Sequence, residues 1–227
     1  MFARRSLMVL ALALSIVRCA DQPTAVRQPS PTLRAIRWAG NSAPLLTTTR
    51  PLPGRDANGI FQTPPLSLDQ YAVSFWAVRG EARTVQINYL DVDGGNTYPF
   101  LLLTTTDPEF VPELGELAQG DSVLVTVTVD TTNLGVSLEP TGLRFGAPAQ
   151  MQIWYGGAGG DLNGDGAADS TDAFVETQLL GLWYREGTVD PWTNVPATQT
   201  LTDKSFTSAL LHFSEYELSF LDWVVSW

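Results

Sequence analysis

The sequence predicts an all-β fold, an antiparallel β-sandwich, and three observations carry that expectation. Apolar residues recur at every second position in short runs, most plainly Val123, Val125, Val127 and Val129. Turn signals such as Asp93-Gly94-Gly95-Asn96 and Gly120-Asp121 separate the runs. No long segment repeats at 3.6 residues, and the best helical candidate is the short stretch Thr171 to Leu180, with Thr171 as its cap.

The chain opens with Arg4 and Arg5 followed by an apolar run from Leu7 to Val17. A basic start and a core of that length read as a signal peptide over residues 1–19, too short to span a bilayer. Cys19, the single cysteine, allows no disulfide within the chain. It stands where a bacterial lipoprotein carries its acylated Cys, but Arg18 occupies the position that normally holds a small residue. Lipidation at Cys19 and ordinary cleavage near Cys19 or Ala20 are the two alternatives. Either makes the protein extracytoplasmic, secreted or membrane-anchored in the cell envelope, with lipidated Cys19 as the only membrane attachment. Residues 20–33 are rich in Pro, Gln, Thr and Ser and read as a flexible tether.

The folded part is expected over residues 34–227. Arg34 to Ala39 reads as a first short strand, and Asn41 to Pro65 as loops rich in Pro, Gly and Thr. Strands follow at Tyr71 to Val78, Thr84 to Tyr89, Tyr98 to Thr105, Ser122 to Val129, Val136 to Leu138, Leu143 to Phe145 and Gln150 to Tyr155. A second set covers Leu180 to Arg185, Gln199 to Thr202, Ser208 to His212 and Glu217 to Phe220. Asp107 to Gln119 has room for a turn of helix, and Glu81 beside Arg79 suggests a surface ion pair.

A formal charge of −11 argues against nucleic-acid binding and favours divalent cations. Loss of Arg4, Arg5 and Arg18 with the leader makes the mature chain −14. One Lys and one His, Lys204 and His212, leave little for acid–base or zinc chemistry.

Between two strands lies an insertion, residues 156–179, that carries the strongest motif: Asp161, Asn163, Asp165, Gly166, Asp169 and Asp172. A calcium loop of 12 residues places ligands at positions 1, 3, 5, 7, 9 and 12 and glycine at 6. Counted from Asp161, these are Asp161, Asn163, Asp165, the carbonyl of Ala167, Asp169 and Asp172. Alternation turns every second side chain toward one ion, and four clustered carboxylates repel one another until a cation joins them. Asp172 replaces the usual Glu, and its shorter reach weakens bidentate ligation. A solvated acidic loop is the alternative. Ca²⁺ is the expected cofactor, in a structural role.

The residues from Leu138-Glu-Pro140 through Gly142-Leu-Arg-Phe145, Pro148 and Met151 to Tyr155, with Leu182-Trp-Tyr184, Trp192 and His212-Phe213-Ser214-Glu-Tyr216, form a set. Over roughly Asp121 to Phe220 it resembles the ZU-five domain, a β-sandwich module also found in bacterial envelope proteins. The resemblance implies interaction and scaffolding, and the expected role is non-enzymatic, toward a protein or surface partner, with the acidic charge arguing against nucleic acid. The insertion departs from that pattern and is similar to one half of a dockerin repeat. Its second half is missing, so cohesin binding is not expected.

In some members of that family the His-Phe-Ser tripeptide cleaves itself. The resemblance therefore implies an alternative, a self-processing domain in which His212 activates Ser214 against a strained Phe213–Ser214 peptide. The bland reading is a strand bend where His212 and Ser214 share a hydrogen bond while Phe213 and Tyr216 pack in the core. Trp76, Trp154, Tyr155, Trp183, Tyr184 and Trp192 either form a carbohydrate platform or serve as ordinary packing.

Overall fold

In the computed structural model the described residues are 31–41, 43–48, 71–91 and 95–222. The leader with Cys19, most of the tether, Asp93 and the tail 223–227 lie outside them. Two antiparallel sheets face each other, which is the expected all-β sandwich.

The first sheet contains β1 (Thr32–Ala35), β3 (Ala72–Val78), β8 (Ser122–Val129), β9 (Gly135–Glu139), β11 (Leu180–Arg185), β12 (Thr193–Asn194) and β15 (Glu215–Asp222). They run in the order β12-β11-β15-β9-β8-β3, and β1 shares an edge of β15 with β9. The second sheet contains β2 (Leu46–Thr48), β4 (Arg83–Leu90), β5 (Thr97–Thr105), β6 (Pro108–Val111), β7 (Gly115–Glu116), β10 (Arg144–Trp154), β13 (Thr198–Thr200) and β14 (Ser205–His212). Its order is β13-β14-β10-β5-β4-β2, with β6 and β7 attached beside β10.

The period-two pattern explains which faces meet. Val123, Val125, Val127 and Val129 point inward from β8, and Val73, Phe75 and Ala77 from β3. Opposite them Val85, Ile87, Leu101, Leu103, Met151 and Ile153 are buried from β4, β5 and β10. These residues belong to a single contiguous core.

Several sequence expectations are corrected. Leu143 to Phe145 and Gln150 to Tyr155 are not separate strands. They merge into β10, whose register on β14 shifts between Arg144 and Ala149. Such a shift lets one strand serve β6 and β5 in turn. Asp107 to Gln119 holds β6 and β7 and no helix, because Pro108, Phe110 and Val111 complete the pairing beside β10. The first strand begins at Thr32, inside the expected tether, since Thr32 already pairs with Asp222. Glu81 pairs with Arg83 at 2.6 Å, not with Arg79, which reaches Asp107 and Glu109.

Candidate metal centre and the strand junction at Ser214

The insertion leaves β10 of one sheet and enters β11 of the other. Its first turn, Gly156–Ala158, lies against Trp38; a Cβ on Gly157 would sit 2.5 Å from that ring, so only glycine fits. Leu162 and Val175 plug the insertion into the core. The side chain of Gln199 bonds the Tyr155 hydroxyl at 3.2 Å and the Glu176 carbonyl at 2.8 Å, tying its far end down.

Within the loop, carboxylates organise backbone. Asp161 accepts from the N–H groups of Gly164, Asp165 and Gly166 at 2.7, 3.1 and 2.9 Å. Gly166 has φ 94°, the left-handed geometry that a sharp turn at the sixth position requires. The side-chain oxygen of Asn163 accepts from Asp165 N–H, and Asp165 accepts from Ala167 N–H and from the Asn163 amide. Asp172, the only buried one of the four aspartates, accepts from Leu162, Asn163 and Asp169 N–H at 2.7, 2.9 and 2.9 Å. Burial pushes its carboxyl up, but these N–H groups outweigh that and hold it below the ordinary value.

The helix is there in part. α1 (Ser170–Phe174) continues into a π turn, Val175–Leu179. Its cap is Asp169, not Thr171: Asp169 and Asp172 form a reciprocal capping box. The ninth and twelfth loop residues therefore do local work that the ligand count alone does not reveal.

A carboxylate offers about four acceptor positions over its two oxygens. Asp161 and Asp172 each use three of them, and Asp165 and Asp169 two. Every carboxylate thus retains hard-oxygen capacity, as does the Asn163 side chain, and this donor chemistry fits a Ca²⁺-type ion. Among the described residues no three His, Cys, Asp or Glu side chains gather as a ready metal-holding group. The carboxylates here follow the backbone they cap.

At another junction, Phe213 and Ser214 carry the chain from β14 in one sheet to β15 in the other. Phe213 is fully buried, 4.9 Å from the Phe145 ring, and Ser214 is buried beside it. Ser214 Oγ and His212 Nδ1 share a hydrogen bond at 3.2 Å. The Phe213 carbonyl accepts from Gly142 N–H at 2.9 Å, and Tyr216 donates to the His212 carbonyl at 2.7 Å. Neither Phe213 nor Ser214 has positive φ, and their peptide is trans.

The six aromatic residues proposed as a platform are dispersed. Trp76 lies on the outer face of β3 opposite Leu124, and Tyr155 is in the core. Trp183 donates to the Ser219 carbonyl, Trp192 stacks under Arg185, and Tyr184 packs on His212 and Tyr216. Trp154 lines one cleft and Trp192 a separate, smaller one. Comparison with protein-family models, with curated proteins and with solved structures gives no match.

Proposed function

We propose that this protein is a non-enzymatic, calcium-stabilised β-sandwich of the cell envelope that acts through a protein or surface partner. The observation that supports it most is the aspartate loop. Its spacing is that of a calcium motif, its backbone is already wrapped by Asp161 and Asp172, and acceptor capacity is left over on every carboxylate. Asp161, Asn163, Asp165, Asp169, Asp172 and the Ala167 carbonyl would hold the ion. Bound there, Ca²⁺ supplies positive charge that offsets the mutual repulsion of four carboxylates. The protein residues do the rest: Leu162 and Val175 anchor the insertion, and Gln199 fastens it to Tyr155.

The signal-peptide pattern of residues 1–19 supports an extracytoplasmic location, where calcium is abundant. The ZU-five resemblance supports interaction over catalysis, by fold-level analogy. Thermal melting of the purified chain with CaCl₂ and with EDTA tests the metal. We expect chelation to lower the midpoint in wild type and to leave Asp161→Ala unchanged; equal midpoints in wild type would refute a structural ion. Co-sedimentation of the folded chain with cell-wall and membrane fractions tests the interaction.

The geometry at 212–214 favours a second reading, self-processing. Ser214 Oγ would attack the Phe213 carbonyl carbon and pass its proton to His212, with Gly142 N–H on the carbonyl oxygen. The Ser214 nitrogen leaves with a proton, and water hydrolyses the ester. Intact mass decides: loss of the fragment Ser214–Trp227, abolished in Ser214→Ala, supports processing, and a full-length mass rejects it.

A further inference from the structure

One end of the sandwich opens into a cleft of about 930 Å³, near the upper end of the ~300–1,000 Å³ range of small-ligand sites. The walls come from four separated parts of the chain: the segment after β1, the β4–β5 hairpin, the end of β10, and the turn between β13 and β14. Trp38, Tyr89 and Tyr98 form a stepped row of rings along it. Trp38 and Tyr89 meet edge to face at 5.7 Å, and Tyr89 and Tyr98 lie 5.7 Å apart at only 30°. Tyr98 is 43% exposed although it faces its cross-strand partner Tyr89, so the row continues into solvent.

Polar groups stand at intervals beside the rings. Asp91 accepts from the Gly95 N–H and the Asn96 amide, and Asp203 from the Gln152 amide and the Ser205 hydroxyl at 3.1 Å each. Both carboxylates are oriented by neutral donors and keep acceptor capacity. Lys204, the chain's one lysine, lines the same cleft and makes no ion pair among the described residues. It holds φ 50°, a left-handed geometry that costs a lysine more than a glycine. The Nε1–H of Trp154, also at the wall, is buried without a hydrogen-bond partner.

From this juxtaposition of stepped aromatic rings with fixed carboxylates and an unpaired ammonium, we infer that the cleft binds a neutral saccharide. A pyranose has the matching two-sided character. Its C–H face lies on a ring, and its hydroxyl edge both donates to carboxylates and accepts from the ammonium. A hydrocarbon ligand would strip water from Asp91, Asp203 and Lys204 and return no hydrogen bond. An anionic ligand would meet two carboxylates and a chain of net charge −11. The cleft and the aspartate loop also share a wall, since Gly156, Gly157 and Gly159 line the cleft just before Asp161.

This inference rests on the surface-interaction reading and gives it a ligand class. Affinity electrophoresis of the full chain in native gels cast with xylan, galactomannan, mixed-linkage β-glucan or hydroxyethylcellulose tests it, with albumin as the control gel. Titration with the hexamer of N-acetylglucosamine adds a soluble ligand. We expect retardation or binding with at least one saccharide. Tyr98→Ala, which removes one exposed ring, should weaken it about tenfold. Lys204→Gly, which keeps the turn, should weaken it as well. Trp76→Ala, on the outer face of the other sheet, should leave it unchanged, and all three should melt near wild type. Free migration in every saccharide gel with no titration signal overturns the inference, as does retardation in the albumin gel alone or binding insensitive to Tyr98→Ala and Lys204→Gly. Co-sedimentation with envelope fractions that survives Tyr98→Ala undiminished would sink the cleft alone; failure of the wild-type chain to co-sediment with any fraction would sink the surface reading with it.

Discussion

Residues 156–179 and 213–214 are two of the several places where the chain passes between the two sheets, and these two passages are built on opposite principles. The long one is polar and mostly exposed, and its shape comes from carboxylates capping backbone N–H groups. The short one is apolar and buried, and its backbone is paired on both sides: Gly142 and Leu138 donate to the Phe213 and Ser214 carbonyls, and Phe213 donates to Leu143. A long excursion has too little apolar surface to bury and must satisfy its backbone with its own side chains. A two-residue excursion borrows partners from both sheets. The difference also sorts the chemistry. Carboxylates on the exposed passage retain capacity for an ion, while Ser214 on the buried one is held in a single arrangement.

The contrast breaks if both passages respond alike to truncation. Phe213→Ala should be the most damaging single change, about 3–5 kcal/mol, because a fully buried ring against Phe145 leaves a cavity in a packed core. Urea unfolding measures it, and a loss no larger than that of an exposed residue would remove the packing account. Asp172→Ala should follow at about 2–3 kcal/mol, since three N–H groups lose one acceptor at a buried position. Asp169→Ala should cost only about 1 kcal/mol, the worth of an exposed cap. If the two aspartates cost the same, burial of Asp172 is not what fixes the loop.

The smallest effect is in pH and has opposite signs in two places. Asp172 is held below its ordinary value, so its contribution is present at neutral pH and fades as pH falls through and below the carboxylate range. Glu217 on β15 is pushed up by burial, against the Ser219 hydroxyl bond and Arg185. A raised acid favours folding most below its ordinary value, and that advantage is lost as pH rises through the folded one. Melting from pH 3 to 8 should therefore show Asp172→Asn losing most at the neutral end. Glu217→Gln should gain relative to wild type there. Slopes of the same sign in both variants would contradict the assignment.

Much of this was legible in sequence. β8 and β11 carry their boundaries in the alternation Val123 to Val129 and in Leu180 to Arg185, because inward residues of a half-buried strand announce themselves. The aspartate spacing marked the loop. Less visible was the merging of two runs into β10, since Gly146 and Pro148 read as a break while the register shift absorbs them. The cap at Asp169 was hidden because the same residue also counted as a ligand. The cleft was invisible for a different reason. Trp38, Tyr89 and Tyr98 fall on separate strands and loops, and only sheet order, set by contacts far apart in the chain, brings them into one row.

The first and last described strands, β1 and β15, are antiparallel neighbours with Thr32 opposite Asp222. Both ends of the fold thus leave from one corner. A pull between the segment before Thr32 and the segment after Asp222 loads the outermost pair of bonds first and opens the seam like a zipper. Bonds that share a load in shear would resist far longer. The seam also runs past Arg34, whose guanidinium holds Asp222 at 3.3 Å and lies beside Gly164 of the aspartate loop. Mechanical force would therefore meet its first resistance at one ion pair beside that loop, and peeling of β1 would precede any loss of the sandwich core.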